Sequence, residues 1–359
     1  MKWYRTIDIY ITKKFLGTFF YAIALIISIS VVFDISENLD EFISKDIPGR
    51  DIVFDYYMNF IPYFTNLFSP LFTFIAVIYF TSKMAYNTEI IAILSSGVSY
   101  NRLMRPYLVS AFILAILSYS LGNFIIPPAN KTLNGFRHKY IDNNRVITER
   151  NIHQQIEPGV YIYMQSINAS NVGYRFTMER FEGVKLVEKL TAQNVRWDKE
   201  KEKWIINNYM KRKIYETHEE FETGLYMDTT LNMVPEDFKV VKNEMETFQT
   251  PALLREIDKM KMRGVNTIEW EIEKHRRIAG PFSAFILTII GAGLASRKIK
   301  GGLGLHLGLG LLLSFSYILF MQVSTVFAIS GTTPPVVAVW FPNLFYSIIA
   351  LFVFRWAAR

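Results

Sequence analysis

The 359-residue chain contains no cysteine. Disulfides, thiolate metal sites and a cysteine nucleophile are therefore excluded, although compartment is not fixed by this absence. No GxxxxGK[ST] phosphate loop is present, so the chain carries no NTPase site of that type. HExxH is also missing, and the histidines, at positions 138, 153, 218, 275 and 306, are too scattered to suggest a metal centre. No acid, base and nucleophile converge in the sequence, which leaves an intramembrane enzyme a distant reading. We expect no catalytic residues, metal or bound cofactor.

Charge is the next scarcity. Asp, Glu, Lys and Arg are absent from Phe15 to Phe33, Tyr56 to Ser82, Pro106 to Asn130 and Ile278 to Ser296. Each run approaches or exceeds the roughly 20 residues that cross a bilayer. Gly301 to Phe354 is also free of these charges, and Gly331-Thr332-Thr333-Pro334-Pro335 divides it into two. Six spans follow, at about 15–34, 54–82, 104–127, 278–296, 303–330 and 335–354. The first follows Lys13-Lys14, is long for a signal core and lacks a small-x-small site, so it is expected to stay as a resident helix. Mean hydropathy is only +0.18, which fits a chain shared between membrane and water.

The net charge of +7 is explained by orientation rather than by nucleic acid. With the N-terminus inside, Lys2, Arg5, Lys13, Lys14, Lys83, Arg102, Arg105, Arg297, Lys298, Lys300, Arg355 and Arg359 are cytoplasmic, whereas the short outer connections hold only Lys45 and Arg50. That bias places both termini inside. The long insertion after the third span then lies outside.

Along the chain, Met1 to Lys14 reads as an amphipathic interfacial lead-in with Trp3, Tyr4 and Tyr10. The first span ends on the acidic Asp34 to Glu41, and Pro62 and Pro70 are expected to kink the second. Residues 1–130 form a first transmembrane half, 131–250 a β domain, 251–277 a helical connector and 278–359 a second half. The insertion alternates apolar with polar residues at 160–164, 174–181 and 203–210, and Asp198 to Lys201 reads as a hairpin tip. An antiparallel sandwich or open barrel is expected. Thr250-Pro251 opens a helix, and Pro281 is expected to bend the fourth span. Gly304 and Gly308 lie among small residues that permit close helix contact, a candidate seam.

The connection from Met84 to Arg105 carries most of the functional signal. From a cap at Asn87 or Thr88, a short helix over about 88–97 places Ile90, Ile93, Leu94 and Gly97 on one face, with Glu89 in its first turn. A helix this short must dock to persist. A lone acid favours a protein with a basic rim over an acidic membrane surface, while a plain surface helix whose Glu89 complements the dipole remains open. Past the third span, Lys131, Arg137 and Lys139 suit either lipid phosphates or interfacial anchoring.

The stretch Thr88-Glu89-Ile90-Ile91-Ala92-Ile93-Leu94-Ser95-Ser96-Gly97-Val98-Ser99 resembles the coupling segment of the LptF/LptG permeases. Agreement extends to Ile126-Pro127, Pro235-Glu236-Asp237 and His275-Arg276-Arg277-Ile278. The resemblance implies an α-helical inner-membrane protein with six transmembrane helices, three plus three, and an inserted periplasmic all-β jellyroll-like domain. It implies a lipopolysaccharide-export permease subunit working with a second LptF/LptG-type subunit and with LptC-like and LptA-like periplasmic jellyroll proteins. A separate cytoplasmic ATPase dimer would use the ATP. By position, Glu89, Ile90, Ile93, Leu94 and Gly97 would meet the ATPase, and Arg137 would lie where the family contacts lipid phosphates. Basic residues frequent at the outer end of the family's first span are replaced here by Asp34 and Glu37. A membrane-anchored scaffold that binds periplasmic proteins and moves no lipid is the alternative.

Overall fold

The computed structural model describes residues 6–141, 150–168, 170–238, 244–297 and 302–358. Trp3, Tyr4, Lys298, Lys300 and the His306 side chain, all considered above, lie outside that description. Two compact units emerge: Met1–Ile141 with Met245–Leu253 and Ile268–Arg359, and Asp142–Glu244 with Leu254–Thr267.

The first unit is helical. Helix α1, Thr6–Ser44, is continuous, so the expected interfacial lead-in is its first turns; Asp8, Ile11 and Phe15 are buried there. Helix α2 spans Gly49–Tyr86 and includes a π-helical turn at Ile52–Tyr57. It continues through Pro62 and Pro70. A short α3, Glu89–Ser95, leads to α4, Tyr100–Ile141. Helix α4 does not end at Pro127: a π-helical turn at Leu121–Ile125 precedes the prolines, which occupy the first positions of a renewed helix at Ile126–Phe136. Proline lacks an N–H and is tolerated where that donor is not required. The Asn123 amide donates to the Tyr119 carbonyl at 2.9 Å, satisfying an acceptor within this turn. The helix therefore runs past the expected boundary at Asn130.

The second half contributes α6, Ile268–Ala279, and α7, Phe282–Ala295, bent by 51° across Pro281, after α5, Thr250–Met262. Helix α8, Gly302–Ile329, and α9, Pro335–Ala358, are separated by Gly331 at φ +78°. Among the described residues, five helices are long and apolar enough to cross a membrane, six if the bent pair counts as one span. Their exposed Leu, Phe and Val side chains, such as Leu312 at 64% and Phe352 at 69%, are costly in water and suited to lipid.

The second unit is a six-stranded antiparallel sheet in sequential order: β1 Arg150–Glu157, β2 Val160–Ile167, β3 Val172–Glu182, β4 Lys185–Asp198, β5 Lys203–Ile214 and β6 Glu219–Thr229. Among the described residues this is one meander, whereas a jellyroll interleaves strands of two sheets. Register follows the alternation: Ile162, Met164, Phe176, Leu190, Trp204 and Ile206 share the buried face, covered by Met233 and Phe238. The Trp204 Nε1–H donates to the Met233 carbonyl at 2.9 Å. At the β1–β2 turn Gly159 adopts φ +79°, and a Cβ there would lie 2.6 Å from the Phe181 carbonyl oxygen. The expected hairpin tip is present, with Asp198 Oδ1 accepting from the backbone N–H groups of Glu200 and Lys201.

Asp237 closes this unit. Its buried carboxylate accepts from Lys259 at 2.8 Å, Arg263 at 2.9 Å and the Val234 N–H at 2.9 Å. Burial alone would raise its pKa, but these donors prevail and hold it below the usual carboxylate range. A depressed folded pKa gives stability that is present above the unfolded pKa of about 3.9 and is lost as pH falls through the folded value. The thermal midpoint of the sheet's infrared amide band is therefore expected to drop on acidification below about pH 4. Asp237→Asn should lower that midpoint at neutral pH and flatten the acid limb.

Candidate functional site

Helix α3 stands between two left-handed backbone positions, Thr88 at φ +62° and Gly97 at φ +85°. Thr88 precedes the helix but does not cap it; its hydroxyl donates instead to the Asn87 carbonyl at 2.6 Å. The four expected apolar positions separate. Ile90 is buried in the core with Met84, Ala85 and Leu103, so within this chain it anchors α3 internally. Ile93 is half-buried against the same core, whereas Ile91 and Leu94 are 50% and 37% exposed. Gly97 is exposed, with nothing within 4 Å of an added Cβ. Helix geometry makes Ile90 unavailable because a seven-residue helix needs one face for attachment.

Two polar ties hold this connection to α1. The Tyr10 hydroxyl donates to Glu89 Oε2 at 3.0 Å, and the Asn87 amide reaches Oε1 at 3.3 Å. Ser99 caps α4 by accepting from the Arg102 N–H at 3.4 Å. Arg102 then grips Asp8 with both terminal nitrogens, at 2.7 and 2.6 Å. Asp8 is buried, so this bidentate pair fixes geometry strongly. The sequence reading missed it: Asp8 is one acid in a basic lead-in, without a spacing cue to Arg102.

At the other end of α1, Asp34 accepts from Tyr56 at 3.2 Å and Tyr57 at 3.0 Å. Arg137 lies over the Tyr56 ring, 5.6 Å from its centroid, and donates to its hydroxyl at 3.3 Å. Phe42, Phe60, Leu133 and Phe136 pack around Tyr56. The acidic residue therefore orients both tyrosines, of which Tyr56 holds the half-buried arginine. Lys139 is exposed and donates to Tyr140 at 2.6 Å; Lys131 is exposed on a preceding turn. The three basic residues share no common partner among the described contacts: Arg137 is held by Tyr56, and Lys139 by Tyr140, whose hydroxyl donates to Asp51 at 2.9 Å.

A buried network was also missed. Arg277 donates to Glu273 at 2.8 Å, to the Phe248 carbonyl at 2.8 Å, to Thr250 at 3.1 Å and to the Met245 carbonyl at 3.1 Å. Arg276 bridges Glu273 and Glu246, and Asn130 donates to Glu246 at 3.3 Å. Burial raises the Glu246 carboxyl's pKa despite Arg276. In sequence these charges look like an ordinary approach to a membrane span.

Glycine contacts within the chain occur away from the expected seam. An added Cβ at Gly310 would run into the Ile78 side chain, and one at Gly293 would meet Val353 at 2.5 Å. Gly304 and Gly308 have nothing within 4 Å, so neither makes a close contact among the described residues. The reason is facing: both are exposed on α8, whereas Gly310 is buried.

A search of curated proteins found no match. The family profile described as Lipopolysaccharide export system permease LptF/LptG matches residues 9–356, spanning both helical halves and the inserted sheet, and the chain belongs to that family of multi-pass inner-membrane permeases.

Proposed function

We propose that this chain is one permease subunit of an ATP-driven lipopolysaccharide exporter, energised through α3 by a separate cytoplasmic ATPase dimer. The observation that carries the reading is the split face of α3. Ile90 anchors it, while Glu89, Ile91, Leu94 and Gly97 remain on a surface suited to a partner. Force on that surface reaches α1 through Tyr10–Glu89 and Arg102–Asp8, so α1 moves with the connection. Both termini lie in the cytoplasm and the sheet in the periplasm, following the positive-inside bias. Gly304 and Gly308 supply a close-approach face for a second LptF/LptG-type subunit.

At the far end of α1, Arg137 meets a lipid phosphate from its Tyr56 platform, with Lys131 and Lys139 as outer, looser contacts. Lipid then passes along the apolar face of the sheet to LptC-like and LptA-like jellyroll proteins. Photo-crosslinking amino acids at Met178 and Tyr209, both partly buried beside that face, test this directly. Lipopolysaccharide should be trapped there only while ATP is hydrolysed by the assembled complex. Crosslinks to proteins alone would favour the scaffold. Arg137→Ala should lower the lipid yield about tenfold, as loss of one charge-assisted hydrogen bond implies.

A further inference from the structure

A cleft of about 480 Å³ lies between α1 and α2, and neither a residue of α3 nor Arg137 lines it. Lys13 and Lys14 stand at one end, and Gly17, Tyr21, Ile75 and Tyr79 form its walls. On α1 the positions 13, 17 and 21 recur every four residues, so the cleft follows one helical stripe for about 12 Å. Gly17 keeps it open: nothing lies within 4 Å of where its Cβ would be. Tyr21 is 72% exposed and Tyr79 40%, offering ring faces and hydroxyls along the rim. Among the described residues neither lysine has a carboxylate partner. The one polar interaction of their ammonium groups among the described residues is Lys14 over the Tyr10 ring, at 5.5 Å.

We propose that this cleft binds an anionic phospholipid of the cytoplasmic leaflet, with its phosphate on Lys13 and Lys14 and an acyl chain along Tyr21 and Ile75. Charge argues for this occupant: two adjacent unpaired cations repel one another and attract an anionic headgroup. Shape argues for it too, because an apolar wall extends from a basic mouth, and the volume lies in the range of ligand pockets. The leaflet assignment rests on the topology proposed above. The site places lipid one helical turn from Tyr10, which holds Glu89.

The test is native mass spectrometry of the full chain in micelles with equal phosphatidylglycerol and phosphatidylethanolamine. The wild type should retain phosphatidylglycerol preferentially. Lys13→Gln with Lys14→Gln should reduce phosphatidylglycerol affinity by about thirtyfold, each lysine near an anionic surface being worth about fivefold, and leave phosphatidylethanolamine adducts unchanged. Gly17→Phe, whose Cβ has nothing within 4 Å and whose ring would occupy the cleft, should remove both adducts while the thermal midpoint holds. Unchanged phosphatidylglycerol adducts in both variants would overturn the site. So would a Gly17→Phe chain that keeps its lipid and loses only a dimer mass, since the cleft would then seat a second copy. The leaflet is read separately with Ile9→Cys in this cysteine-free chain: labelling by an impermeant maleimide from the periplasmic side overturns the topology while leaving the lipid result to stand alone.

Discussion

Arg277→Met is expected to destabilise the helical unit by about 3 kcal/mol, toward the low end of the range of about 3–5 kcal/mol for breaking a buried pair. The residue is 5% exposed, and its guanidinium serves a carboxylate, a hydroxyl and two backbone carbonyls. Methionine fills comparable space but leaves those acceptors without a donor, and buried acceptors left unpaired carry their full desolvation cost. The loss stays toward the lower limit because Arg276 still pairs with Glu273 through the other oxygen at 2.8 Å. For a unit of this size the thermal midpoint should fall by about 6–12 °C. Arg277→Lys keeps the charge but not the fork, and should recover less than half of the loss. Arg277→Met combined with Glu273→Gln should cost less than the sum of the two singles, since the carboxylate is then no longer stranded. Additive losses in that double-mutant cycle would show that the arginine acts through the 245–250 segment alone.

Much of this fold is legible because membranes and sheets impose strong patterns. Charge-free runs identify the long helices, Pro281 coincides with the bend, Gly331 to Pro335 with the break, and Asp198 with a hairpin tip. The losses are local. Strand β1 escaped because Gln154 interrupts its buried face between Ile152 and Ile156, and β6 because most of its side chains are exposed on the sheet's edge. The third span extends past Pro127 because a π-helical turn upstream accommodates the prolines, a feature with no reliable sequence mark. The short helix after Tyr86 was visible as a pattern but not as a facing. Three isoleucines within four positions, Ile90, Ile91 and Ile93, are chemically alike, and only packing shows that Ile90 is the anchor. Asp34 reads in the sequence only as an acid where the resemblance implies a base, whereas packing shows that it positions the tyrosine that carries Arg137.

Glu89→Ala is expected to weaken retention of the ATPase by at least about thirtyfold, corresponding to the lower end of the roughly 2–5 kcal/mol lost when one partner of a buried interfacial charge pair is truncated. In the free chain Glu89 is half-buried, and its carboxylate is already oriented by Tyr10 and Asn87. Binding therefore need not order that side chain, and more of the contact energy is available for association. Tyr10→Phe separates the two roles of this carboxylate. It removes the hydroxyl that positions Glu89 but keeps the charge, so retention should weaken by less than about tenfold, the worth of one ordinary hydrogen bond. Leu94→Ser should act with Glu89→Ala, because Leu94 is 37% exposed on the free face of α3. Ile90→Ala should behave differently: its side chain is 1% exposed, so it should lower the chain's own thermal stability before it alters binding. Undiminished ATPase in pull-downs of Glu89→Ala would remove α3 as the power input. The same result with intact Leu94 sensitivity would instead leave an apolar contact as the link and assign Glu89 to the tie with α1.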